Sequence, residues 1–240
     1  MSEYSKIQTI FKRDEKNNIM IGEFTLDEFD VLKDLKWDAT EKIDGTNMRI
    51  EIDHPAKDKF VTSIGGKTDN AQIPPHLQKR MEEVVEMIKP KLEEVFPFNE
   101  DQNPVHITLY GEGYGMKIQK GGGRYISNGV DFILFDVKIG KWWLQPKDVE
   151  NIANKLNLKI VPFIGEFTLR EACMFVFNGF KSRISEDKDF DAEGLVLRAP
   201  VGLCRRNGER LITKVKAKDF NDLINKGVNP TEIFKKIHLM

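Results

Sequence analysis

Residues 41–47 read Glu-Lys-Ile-Asp-Gly-Thr-Asn, and they impose a strand, a tight turn and a second strand on the chain around them. Residues 36–40 end a stretch that favours extended backbone. Residues 46–52 alternate well enough for a half-buried strand, and residues 59–64 pattern as its partner. Asp-Gly between them is turn chemistry, with Gly45 able to take backbone angles closed to other residues. Such a turn presents one amine, that of Lys42, and two readings of it are open. A lysine at a surface turn is ordinarily just solvated. A lysine held in a pocket can instead attack the α-phosphate of a nucleotide and carry it as a phosphoramidate.

The rest of the chain reads as α+β, without regular strand–helix alternation. A short helix is expected over residues 26–35. Residues 76–96 form the strongest helical pattern, with apolar side chains at three- and four-residue steps and Pro90 as a kink. Residues 105–110 and 131–137 pattern as buried strands, and the glycine-rich stretch 111–129 between them as loop. Pro146 suits the first turn of a helix reaching about Leu156, and residues 169–177 a helix that stops at Gly179. Residues 194–199 and 210–216 are expected strands, and 217–240 leave room for one or two short helices. Of the two tryptophans at 142 and 143, adjacent strand positions would expose at most one.

Composition narrows the function classes. With 240 residues and a net charge of -1, the chain fits one large domain, or one domain with a small appendage, and not a bulk polyanion binder, so a nucleic-acid surface would be a local basic patch. Two cysteines, Cys173 and Cys204, supply neither a disulfide framework nor a metal spacing, and a reducing, cytoplasmic setting is the default. The N-terminus carries no apolar signal core, and no apolar run approaches the ~18 residues of a membrane span.

Polar residues recur beside the apolar strands. Glu112 closes the strand that starts at 105, Phe135 and Asp136 end the run Phe-Ile-Leu-Phe-Asp, and Glu193 opens the strand from 194. Lys214 and Lys216 lie two apart, hence on one face of their strand. Taken singly, these read as a solvated strand end, a core aromatic or a wet face. Together they supply nucleotidyl transfer: a nucleophile (Lys42), a carboxylate for Mg²⁺ (Glu193), cations for the α-phosphate (Lys214, Lys216), a ribose acceptor (Glu112) and an aromatic base platform (Phe135). Nearby cations disfavour the protonated form of an amine, so the two lysines and a bound Mg²⁺ would activate Lys42 and stabilise charge on the phosphate oxygens.

In this order the residues resemble the motifs of the covalent nucleotidyltransferases, the superfamily of ATP-dependent DNA ligases, RNA ligases and GTP-dependent mRNA capping enzymes. Lys42-Ile-Asp-Gly matches motif I, Glu112 motif III, Phe135 motif IIIa, Glu193-Gly194 motif IV and Lys214-Val-Lys216 motif V, over residues 38–217. The RNA ligase 2 branch is the most similar, through Glu41 to Asn47, Ile118-Gln119-Lys120 and Arg206-Asn-Gly-x-Arg210. The resemblance implies two antiparallel sheets with flanking helices and a nucleotide cleft between them. It also implies adenylylation of Lys42 by ATP with Mg²⁺ or Mn²⁺, transfer of AMP to an RNA 5′-phosphate, and sealing by a 3′-OH. Glu41 and Ile43 would help bind adenine, and Asn47 would act near the α-phosphate or the RNA end. Lys67 stands where the family usually has an arginine contacting ribose or the polynucleotide end.

The implied organisation is a nucleotidyltransferase domain over residues 1–220 and a short helical tail over 221–240, without a full OB or helical C-terminal domain. The expected partners are RNA ends or nicked duplex, with no membrane, and the expected state is a monomer in the cytoplasm, a host's if the source is viral. Two alternatives stay open: a minimal DNA ligase or guanylyltransferase of the same superfamily, and a non-catalytic RNA- or nucleotide-binding module. Of the four histidines none has ligand spacing, and His106 reads as a satisfied core residue. Gly121–Gly123 lacks the P-loop ending and reads as a flexible segment, while Lys120, Arg124, Arg205 and Arg206 are candidates for a basic rim.

Overall fold

A computed structural model describes residues 3–98 and 105–240. In chain order its strands are β1 Gln8–Thr9, β2 Phe11–Arg13, β3 Ile19–Phe24, β4 Trp37–Lys42, β5 Thr46–Ala56, β6 Lys59–Gly66, β7 Val105–Gly115, β8 Val130–Ile139, β9 Trp142–Trp143, β10 Lys159–Ile160, β11 Phe163–Phe167, β12 Gly194–Arg198 and β13 Ile212–Lys216. Its helices are α1 Asp27–Val31, α2 Pro75–Ile88, α3 Leu92–Val95, α4 Gly122–Tyr125, α5 Pro146–Leu156, α6 Leu169–Asn178, α7 Ala217–Asn225 and α8 Pro230–His238. The α+β class expected from the sequence is the class observed. The chain divides into two compact units, residues 44–161 with the N-terminal residues up to Ser5, and residues 6–43 with 162–240.

The first unit is built on a sheet in the order β10-β8-β7-β5-β6, with β9 added to β8. Its pairs are antiparallel except β10 with β8, a short parallel edge that was not expected. Helix α2 buries Leu77, Met81, Val84, Val85 and Ile88, the stripe that its sequence periodicity marks out. Pro90 ends it in a 3-10 turn, Lys89–Lys91, before α3 resumes. Helix α5 starts with Pro146 in its first turn and buries Val149, Ile152, Ala153 and Leu156 in the same core.

The glycine-rich stretch corrects the loop expectation. Strand β7 runs on through Gly115, so residues 111–115 are ladder, and residues 122–125 form a helical turn. Packing is the reason. A Cβ on Gly113 would lie 2.6 Å from a Leu77 methyl and 3.0 Å from Met48 Cγ, so the missing side chain lets α2 settle onto the sheet. His106 is also corrected: it is half-exposed, with Nδ1 2.8 Å from Asp53 Oδ1, whereas the buried histidine is His54. Trp142 is exposed and Trp143 packs against Tyr4 and Tyr110, in line with the strand alternation.

The second unit is built on a sheet in the order β1-β13-β12-β4-β11, antiparallel except for β1 beside β13, and a separate hairpin, β2–β3. One sheet face carries Trp37, Ala39, Leu195, Leu197 and Val215 into a core shared with α6 and α8. Helix α6 begins with a capping box: Thr168 Oγ1 accepts from Glu171 N–H, and Thr168 N–H donates to the Glu171 carboxylate at 2.7 Å. It ends at Gly179, whose φ of +76° is left-handed. Residues 217–240 form α7 and α8, whose Phe220, Ile233 and Ile237 are core residues of this unit. Cys173 is buried and Cys204 exposed, and both are free thiols. No helix among the described residues is long and apolar enough to cross a membrane.

Candidate active site

Strand β4 alternates buried and half-exposed residues, so Trp37, Ala39 and Glu41 face the helices while Asp38, Thr40 and Lys42 face away. Lys42 is the last residue of this strand rather than part of the turn. Across the ladder Lys42 pairs with Gly194 of β12, and Gly194 pairs with Lys216 of β13. Gly194 is required here: its φ is +151°, and a Cβ would lie 2.0 Å from Val215 O. The row therefore reads lysine, no side chain, lysine. Next to it, Glu193 puts Oε2 2.5 Å from Lys42 Nζ, with both side chains 22% exposed. Glu193 O accepts from Ala217 N–H at 2.9 Å, which fixes the approach of this residue to the end of β13.

Lys214 occupies the next row of the same face, opposite Val196. Its amine is held below the ordinary lysine range, first by burial and then by the Lys42 and Lys216 charges, with Glu193 acting against them. Lys216 lies 3.7 Å from Asp219, which Arg13 grips through both carboxylate oxygens. The depression expected for an amine in a lysine cluster is thus found at Lys214. The Lys42 amine sits on a carboxylate.

Glu41 faces the other way. It is 1% exposed; Ser182 Oγ donates to one carboxylate oxygen and Arg183 N–H to the other at 2.8 Å. Burial pushes its carboxyl above the usual range, opposed by these two donors. Ile43, which follows Lys42, is buried. Ser182 and Arg183 carried no sequence signal, since their role depends on a strand face the sequence does not index.

In the first unit the remaining residues cluster along β5, β7 and β8. Gly45 does not take a left-handed conformation, which corrects the turn-angle argument. Its need is space: a Cβ would lie 2.3 Å from Gly113 O and 2.8 Å from Glu112 Cγ. Asp44 N–H donates to Tyr125 Oη at 3.2 Å and Gln119 Nε2 donates to Gly45 O at 2.9 Å, so residues on either side of Gly121–Gly123 brace this turn. Asn47 and Glu112 are cross-strand partners, and Asn47 Oδ1 is buried with no hydrogen-bond donor among the described residues. Glu112 lies within β7 and does not close it.

Phe135 sits where the β7–β8 register slips: Tyr110 pairs with Asp136 and Gly111 with Leu134, leaving Phe135 as the extra residue of a bulge. A bulge re-aims the side chain it carries. The ring is half-buried, edge-on to Tyr4 at 5.1 Å, while Tyr4 Oη donates to the buried Asp136. Tyr4 was missed because nothing in its local sequence marks it.

Lys67 is exposed just beyond β6. Buried Arg49 holds the adjoining segment, donating to Gly66 O and pairing with Asp69 and Glu51. Arg205 of the expected basic rim is committed to Glu28 and Glu209.

The described residues contain no group of three or more His, Cys, Asp or Glu able to cage a metal ion. Glu193 alone fits the lesser requirement of an ion carried on a triphosphate, for which one protein carboxylate and several waters suffice.

Structures of a Naegleria gruberi RNA ligase are similar in fold to this chain. A Naegleria gruberi RNA ligase with pyrophosphate superposes with a TM-score of 0.60 at 20% identity, covering 95% of this chain and 58% of that one. A lysine-to-alanine variant of that enzyme with ATP and Mn gives 0.56 at 20% identity, covering 83% and 53%. A glutamate-to-alanine variant with AMP and Mn gives 0.60 at 19% identity, covering 94% and 58%. The chain thus spans a little over half the length of the ligases it matches. No curated protein matches it in sequence. The RNA ligase family profile matches residues 35–216, and the chain belongs to the RNA ligase family.

Proposed function

We propose that this chain is an ATP-dependent RNA ligase that works through a lysyl-AMP intermediate at Lys42. The observation that carries the proposal is the Lys42–Glu193 contact at 2.5 Å on a sheet face that also holds Lys214 and Lys216. The Lys42–Glu193 contact must open before Lys42 Nζ attacks the α-phosphorus. The new N–P bond then replaces the bond to pyrophosphate. An RNA 5′-phosphate oxygen next attacks the AMP phosphorus as the N–P bond breaks and the Lys42 amine is restored, and a 3′-OH then attacks the RNA 5′-phosphate and displaces AMP to join the strands. Lys214 and Lys216 oppose the charge that builds on the phosphate oxygens. A divalent ion, Mg²⁺ or Mn²⁺, fits at Glu193 and when bound neutralises phosphate charge.

In the first unit, Glu112 is assigned to the ribose, Phe135 to the adenine face and Asn47 to the α-phosphate or RNA end. The unsatisfied Asn47 Oδ1 supports a ligand partner for that residue. Lys67 keeps the charge of an arginine contact to ribose or polynucleotide end without its planar fork. Ile43 keeps its adenine assignment, while the carboxylate of Glu41 acts at one remove by holding Ser182 and Arg183. The partners are RNA ends or a nicked duplex, bound by a monomer in a reducing, cytoplasmic setting. The similarity of the fold to structures holding ATP, AMP and Mn supports this choice of nucleotide and metal.

The test is joining of a 5′-phosphorylated RNA nick with ATP, run beside GTP and a DNA nick. Sealed RNA that depends on ATP is expected, and affinity for RNA should fall as salt rises. Joining confined to DNA nicks, or label taken from GTP alone, would replace this assignment with a different acceptor or nucleotide.

A further inference from the structure

On the face of the second unit's sheet that bears Lys42, one large apolar residue lies open. Phe163, at the start of β11, is 54% exposed and pairs with Thr40. The row continues through Val196 to Lys214, so the phenyl ring shares a row with the depressed lysine. It sits one strand and two residues from Lys42, roughly 8 Å on sheet spacings. The next residues of β11 go elsewhere: Ile164 and Phe167 pack on the core, and a register shift between Phe163 and Gly165 keeps Phe163 on the open face.

The backbone at this residue is pinned, which an idle edge aromatic does not need. Glu41 N–H donates to Pro162 O at 2.9 Å. The Glu41 carboxylate accepts from Arg183 N–H, and Arg183 Nη1 donates to Phe163 O at 2.8 Å. The residue next to the nucleophile therefore grips the backbone at Phe163 from two sides, through a carboxylate buried at some electrostatic cost. A flat apolar ring one ribose-length from a phosphate-attacking amine is suited to a purine base.

We propose that Phe163 contacts the purine of the bound nucleotide, with Glu41 and Arg183 as the residues that position it. This rests on the adenylation reading above, and every residue it invokes belongs to the second unit. It also gives Glu41 a function that its buried carboxylate can perform.

The experiment is equilibrium titration by calorimetry, with no chemistry required. ATP and inorganic tripolyphosphate are each titrated into the wild-type chain, Phe163→Ala, Phe163→Trp and Arg183→Ala. Base–aromatic contacts removed by alanine predict roughly tenfold weaker ATP binding for Phe163→Ala. Tripolyphosphate affinity should be unchanged, a separation that a merely structural lesion would not produce. Phe163→Trp should bind ATP at least as tightly as wild type and show a fluorescence change on ATP addition beyond that of the wild-type tryptophans. Arg183→Ala should show a smaller loss in the same direction. Wild-type ATP affinity in Phe163→Ala, or equal losses for ATP and tripolyphosphate, would overturn the proposal. A wild-type chain that binds no ATP overturns this inference and the adenylation reading together. One that binds ATP but never takes a covalent label counts against that reading alone, and the Phe163 comparison still decides.

Discussion

The two units place their chemistry-bearing residues by different means. In the second unit these residues are charges on a regular ladder: Lys42, Lys214 and Lys216 point to one face because they sit at even spacing on paired strands, with Gly194 leaving a gap between two of them. In the first unit they are an amide, a carboxylate and an aromatic ring, and irregularities place them. Glu112 and Asn47 meet beside a turn that only glycine fits, and Phe135 is the extra residue of a bulge. A ladder of charges tolerates changes of side-chain length but not of the glycine between strands. A site set by bulges and close approach tolerates little change of backbone.

The sharpest break in that comparison is Lys42→Ala, which should abolish covalent nucleotide labelling while leaving the circular dichroism spectrum intact; residual label would locate the nucleophile elsewhere. Glu193→Ala comes next, with labelling expected to drop roughly 100-fold, on the scale of removing one preorganised electrostatic contact. Labelling at the wild-type rate would remove Glu193 from the chemistry.

Glycine substitutions separate the units further. Gly194→Ala forces a Cβ against the Val215 carbonyl in a left-handed conformation and should cost about 3 kcal/mol or more by urea denaturation. Gly113→Ala meets the movable tip of Leu77 and should cost about 1–2 kcal/mol. The reverse order would mean that packing by close approach matters more than the ladder.

Glu41→Gln can keep Arg183 N–H on its amide oxygen and donate its NH₂ to the Ser182 hydroxyl, so two charge-assisted hydrogen bonds become neutral ones and a loss of about 1 kcal/mol is expected from the same denaturation curves.

The smallest effect concerns acid. Lys36 and the Thr168 backbone hold the Glu171 carboxyl down to about 2, against an ordinary value of 4.5. Because the folded value is the lower one, the stabilisation is complete above pH 4.5 and is lost as pH falls toward 2. Thermal melts of Glu171→Gln should therefore show a flatter pH dependence in that window, by a small margin because the pair is largely exposed.

How much of this was legible in the sequence follows the same division. Lys214 and Lys216 share a face by period-two arithmetic alone, and Pro146, the apolar stripe of α2 and the stop at Gly179 announce their helices by local chemistry. Glu193 and Lys42 were recognisable as residue types and motif positions, but their contact joins parts of the chain 151 residues apart. Glycines that read as loop are ladder in β7, because their small size serves sheet and helix packing rather than flexibility. The orientation of Glu41 was hidden because β4 extends to Lys42, past the strand end expected near residue 40, and so puts neighbours on opposite faces. Tyr4, Ser182 and Arg183 act only through distant partners, which no local pattern encodes.

The most direct test is intact mass spectrometry of the chain after incubation with ATP and Mg²⁺, followed by peptide mapping under conditions that preserve the phosphoramidate. One AMP added per chain, carried by the peptide that contains Lys42, is the predicted result. An unchanged mass, or an adduct on a peptide lacking Lys42, would contradict it.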